Sequence, residues 1–158
     1  MGAAASKAAF RQYAGDFRYL HVASHGRFDA AAPLRSALLL AGEGAEDGQL
    51  TVGELYSMRL AADLVTLSAC ETGLGRIENG DDVVGLTRGF LYAGARSIVA
   101  SLWQVDDQAT GELMKGFYDA LRLGVDNAEA LRRAEIAALR RNPHPFYWAA
   151  FQLTGADR

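Results

Sequence analysis

The sequence predicts an α/β fold built on a largely parallel sheet. Apolar runs of strand length alternate with longer stretches whose apolar residues recur at helical spacing, and glycine- or acid-rich segments separate the two kinds. No internal repeat, low-complexity tract or proline-rich linker divides the 158 residues, so residues 1–158 are expected to form one domain.

Ala3 to Tyr13 is alanine-rich and reads as a helix, ended by Ala14-Gly15-Asp16. Phe17 to Ser24 is apolar and aromatic and reads as a buried strand, with His25-Gly26 as the loop signal behind it. Ala37 to Ala41 is a second apolar run, and Gly42 to Gly48 a surface loop. Thr51 to Glu54 has the S/T-x-x-E spacing of a capping box, which starts a short helix. Asp63 to Ala69 is a third strand, ending at Cys70, and Glu71 to Gly80 reads as a mobile glycine-containing loop. Asp81 and Asp82 lead a helix to Ala93, closed by Gly94. Ala95 to Trp103 is a fourth strand. Asp106 or Asp107 then caps a helix whose Leu113, Phe117 and Leu121 share one face, and Gly124 ends it. Ala128 to Arg140 is a further amphipathic helix, with Leu131 and Leu139 inward, and Phe146 to Leu153 reads as a last strand.

Half of the residues are apolar and 22% are charged, an ordinary globular balance. A net charge of −3 gives no electrostatic ground for binding nucleic acid or an anionic membrane directly. No run of apolar residues is long enough for a transmembrane helix, and the first residues lack the pattern of a signal peptide. A single cysteine excludes an internal disulfide and a cysteine-based zinc site and suits a reducing compartment, so the expected location is cytoplasmic.

In open parallel sheets, functional groups collect beyond the carboxyl ends of the strands, and His25 and Cys70 both lie at such ends. Cys70 has two readings: a buried structural thiol, the commoner fate of a lone cysteine, or a nucleophile. The polar Glu71-Thr72-Gly73 exit favours the second. A thiol attacks as its thiolate and needs a base; His25, on the end of another strand, supplies one and can then protonate the leaving amine. The bland alternative for His25 is a hydrogen-bonded loop histidine. The N–H groups of Gly26 and Cys70 are candidates for an oxyanion hole. His21 is a rival base on the same face, but it lies about 13 Å back along the strand and is expected to be interior and structural. His144, between Pro143 and Pro145, reads as a surface residue. The three histidines fit no common metal-ligand spacing, and neither a G-x-S-x-G elbow nor a P-loop is present. No metal or cofactor is expected.

Five ordered blocks carry a family resemblance: Leu20 to Gly26, Leu67 to Gly73, Gly85 to Ser97, Ser101 to Asp107 and Pro145 to Phe151. Together they resemble the CHAT domain, a relative of caspases and separases. The resemblance implies a three-layer caspase-like fold, with helices on both sides of a mostly parallel sheet. It also implies a cysteine endopeptidase that cleaves a protein or peptide substrate through His25 and Cys70. His25 precedes Cys70 by 45 positions, close to the spacing of about 50 found in caspases. The same resemblance implies that strands normally precede the first helix, that tetratricopeptide repeats often lie upstream, and that an upstream region or activating partner takes part. By likeness to separases, Asp106 and Asp107 are candidates for a pocket that takes a basic side chain; their alternative duty is helix capping. The rival reading of the whole chain is a silent pseudo-peptidase acting as an interaction module, and a small-molecule esterase or amidase is a third.

Overall fold

The computed structural model describes residues 5–29, 31–43, 47–71, 81–103 and 106–156, with the backbone alone for 69–71 and 81–83. The strands are β1 (Tyr19–Arg27), β2 (Ala37–Leu39), β3 (Gln49–Thr51), β4 (Leu64–Glu71), β5 (Ser97–Ser101) and β6 (Phe151–Gly155). The helices are α1 (Lys7–Tyr13), α2 (Val52–Leu55), α3 (Asp81–Ala93), α4 (Asp107–Arg122) and α5 (Asn127–Arg141).

One sheet contains all six strands in the order β3-β2-β1-β4-β5-β6. Its centre is parallel, β1 with β4 and β4 with β5, while β2, β3 and β6 run antiparallel to their neighbours. The expected α/β architecture and mostly parallel centre are therefore found, with β1 and β4 paired in parallel.

Period-two alternation sends each strand's apolar residues to two separate cores. Val22, Leu38, Leu50, Val65, Leu67, Ile98 and Ala100 meet Val52 and Leu55 of α2 and Leu86 and Phe90 of α3, with Phe10 of α1 at the margin. On the opposite face, Leu64, Val99 and Phe151 meet Leu113, Met114 and Phe117 of α4 and Leu131 and Ala134 of α5. The buried Asn127 at the start of α5 donates to Ser97 Oγ at 2.9 Å, and Ser97 Oγ donates to the Asp63 carbonyl at 2.7 Å. That chain ties α5 to the sheet and satisfies polar groups whose burial would otherwise be costly.

Several boundaries differ from expectation. His25-Gly26 is not a loop: it lies inside β1, because pairing with β2 on one side and β4 on the other extends the strand to Arg27. Phe17 stays outside the strand, 54% exposed. The first helix begins at Lys7, where the Ser6 side chain accepts from Ala9 N and so replaces a missing intrahelical partner. The segment from Phe146 divides into a 3-10 turn (Pro145–Tyr147) and β6. Strand β3 carries too short an apolar signature to read alone. Leu139 is exposed rather than inward. The capping box is present, with Thr51 Oγ1 accepting from Glu54 N at 3.2 Å and Thr51 N donating to Glu54 Oε2 at 2.9 Å. Gly94 (φ 114°) and Gly124 (φ 80°) close α3 and α4 as expected. Among the described residues, no helix is long and apolar enough to cross a membrane.

Candidate active site

From β1 the chain goes outward to β2 and β3, and from β4 it goes the other way through α3 to β5. Connections that leave two adjacent parallel strands in opposite directions open a crevice at their carboxyl ends. The switch point here lies between β1 and β4.

His25 and Cys70 flank that point as Cα partners in the β1–β4 ladder, two residues and one residue before their strands end. The Cys70 side chain lies outside the described residues, as does the segment 72–80 of the loop expected to be mobile. Gly26 is buried, registered with Leu38 on one side and Glu71 on the other.

Strand β1 is buried on one face only. Val22, Ser24 and Gly26 are covered, whereas Tyr19, His21, Ala23, His25 and Arg27 are exposed. The cause is the width of the helical layer. Helices α4 and α5 cover β4, β5 and β6. At their margin Tyr118 of α4 reaches Thr66 of β4, its hydroxyl donating to Thr66 Oγ1 at 2.9 Å. The same hydroxyl lies 2.8 Å from His21 Nδ1. Beyond Tyr118 no described helix covers the face carrying His25.

The expectation that His21 is interior is thus corrected: it is exposed, and it is bound from the side by α4. Tyr118 packs on the ring at a centroid distance of 5.7 Å, and the loss of water there lowers the imidazole pKa below its ordinary value. The Tyr118 hydroxyl is raised by burial, which the bond to Thr66 partly opposes. His144 accepts from Phe146 N and caps the 3-10 turn, a structural duty.

Asp106 is the N-cap of α4, its Oδ1 accepting from Ala109 N at 3.0 Å. Asp107 is exposed in the first turn, and among the described residues no hydrogen bond or ion pair takes it up. Asp106 and Glu112 line a cavity of about 200 Å³ with Ala109, Arg141 and Tyr147, and Arg141 Nε lies 3.2 Å from Glu112 Oε2. Among the described residues, no group of three or more His, Cys, Asp or Glu is placed to hold a metal ion.

The residues that sequence reasoning passed over are Tyr118 and Thr66, which bound the open face, and Leu39, the β2 partner of His25. Only Leu39 left a signal, as the middle of the apolar run from Ala37 to Ala41.

Compared with protein families, the chain matches the CHAT domain over residues 1–156. Among curated proteins it is 36% identical over 110 residues to tetratricopeptide repeat protein 28 of Mus musculus and 33% identical over 110 residues to that of Homo sapiens. Both matches cover 68% of this chain, which spans only 4% of the length of either relative.

Proposed function

We propose a function on one premise: this chain belongs to the CHAT domain family, which lies in the caspase-like peptidase clan. The reading is a cysteine endopeptidase with His25 as base and Cys70 as nucleophile. One observation carries it, the in-register pairing of these two residues at the switch point of the sheet, with His25 on an uncovered face.

The His25 imidazole takes the thiol proton. The thiolate attacks the scissile carbonyl carbon, and the tetrahedral oxyanion is held by the N–H groups of Gly26 and Cys70. Collapse breaks the C–N bond while the imidazolium gives its proton to the leaving amine. Water, deprotonated by His25, then hydrolyses the thioester and restores the thiol.

Asp107 is the better of the two acids for a basic substrate side chain, because Asp106 is already engaged as a cap. The natural substrate on this reading is a protein or peptide in the cytoplasm, and a tetratricopeptide-repeat region is the expected partner, by analogy with the named relatives.

The test is labelling by an acyloxymethyl ketone probe with a basic residue next to the warhead, run beside a peptide-library cleavage profile. A peptidase labels at Cys70, loses labelling in His25→Ala, and yields cleavage products that vanish in Cys70→Ala. A folded chain that neither labels nor cleaves, alone or with its partner region, is instead the silent interaction module.

A further inference from the structure

One register row crosses the sheet at the candidate site: Gln49 of β3, Leu39 of β2, His25 of β1 and Cys70 of β4. Cross-strand partners in register share a face. The neighbours of Leu39 in β2 turn the other way: Leu38 is fully buried in the α2–α3 core, and Leu40, just beyond the strand, packs at that core's margin. Leu39 packs in neither core, yet it is half-buried on a face that no described helix covers. Its register neighbours on that face are His25 on one side and Gln49 on the other, and Ala37, two residues earlier in β2, is fully buried on the same face.

We propose that Leu39 is a positioning residue, which fills the β2 side of the His25 imidazole and so holds the ring toward β4 and Cys70; this rests on the peptidase reading of that pair. Directly opposed residues in an antiparallel pair have Cβ atoms about 4.5–5.5 Å apart, so a branched leucine reaches the ring. An imidazole on a strand has a few staggered orientations, and a bulky apolar neighbour removes those that lean over it. Without Leu39 the ring gains orientations away from the thiol. Besides His25, the ionisable side chains on this face among the described residues of β1 to β3 are Tyr19, His21 and Arg27, all on β1 itself, with the Tyr118 hydroxyl of α4 beside His21, and Gln49 is uncharged. Leu39 therefore acts by shape and not by charge.

The test uses the one cysteine of the chain as its own reporter. The rate at which iodoacetamide alkylates Cys70 is measured against pH for the wild type, His25→Ala, Leu39→Ala, Leu39→Ile and Gln49→Ala, with folding checked by circular dichroism. The wild-type midpoint is expected below that of His25→Ala. Leu39→Ala should move the midpoint toward that of His25→Ala and slow alkylation near pH 6.5 by roughly fivefold, as the thiolate fraction falls. Leu39→Ile should restore the rate to within about twofold, and Gln49→Ala should leave it unchanged. If Leu39→Ala does not fold, Leu39→Val replaces it, with a smaller shift in the same direction. A folded Leu39→Ala or Leu39→Val with the wild-type midpoint overturns the positioning role, as does an equal shift in Gln49→Ala. If wild type and His25→Ala share one midpoint, the His25–Cys70 reading itself is lost, and that result is recognisable without any Leu39 variant.

Discussion

His25 of β1 and Cys70 of β4 are Cα partners in the parallel ladder, and that ladder is eight register pairs long, from Tyr19–Leu64 to Gly26–Glu71. Adjacent strands lie about 4.8 Å apart, so the two residues are neighbours through the sheet itself and need no loop to bring them together.

The two histidines of β1 should therefore separate in function. His25→Ala is expected to abolish cleavage in a folded protein. His21→Ala should retain turnover and lose about 1 kcal/mol of stability, the net worth of the bond to Tyr118. Peptide turnover and thermal melting of both variants decide it; loss of turnover in a folded His21→Ala would transfer the base role to His21.

Tyr118, half-buried, and Thr66, buried, form a pair whose removal should be asymmetric. Thr66 is fully buried, and Tyr118→Phe leaves its hydroxyl without the tyrosine, at a cost of about 1–2 kcal/mol. Adding Thr66→Val removes the stranded group and should recover part of that loss. A double-mutant cycle by urea unfolding measures the coupling. Additive losses would mean that the pair is not coupled.

Glu135 gives stability a pH dependence between about 4.5 and 7. Burial in α5 raises its carboxyl to about 7, against an ordinary 4.5. A raised acid favours the folded state while protonated, so this contribution is complete below the ordinary value and is lost as pH rises toward 7. Glu135→Gln should thus match wild type near pH 4.5 and exceed it near pH 8, by about 1–2 kcal/mol, since the partly solvent-exposed carboxyl is screened. Equal unfolding free energies at the alkaline pH would refute it.

Gly94 is the position where a side chain is least tolerated among the closures of the helices. Its φ is 114°, and a Cβ there would stand 2.5 Å from the Leu60 carbonyl oxygen. Gly94→Ala should cost about 2 kcal/mol or more, read as a lower melting temperature. Gly124→Ala should cost less: its φ is also positive, but nothing lies within 4 Å of the added methyl.

Much of the fold is legible in the chain because local patterning and the buried face agree. Leu113, Phe117 and Leu121 sit one helical turn apart and do face one core, and Asp106 and Gly124 bound α4 where a cap and a left-handed closure are needed. Where they disagree, the sequence misleads. His25-Gly26 carries a loop signature, but ladder partners on both sides hold it in strand. The run from Phe146 is apolar enough for a strand, yet Pro145 at the start of the 3-10 turn delays β6 to Phe151.

The sequence alone determined the alternation of elements, the helix ends marked by Gly94, Asp106 and Gly124, and the identity of the histidine and cysteine that are candidates for the site, since all of these follow from side-chain chemistry within a few neighbouring residues. The tertiary structure decided which strands adjoin, and so that positions 25 and 70 meet at a switch point and that Leu39 stands on the far side of the histidine. It also decided that His21 is exposed and held by Tyr118, 97 residues away in the chain. The reason is that register and the width of the helical layer depend on how whole faces pack, and no local window of the chain contains that information.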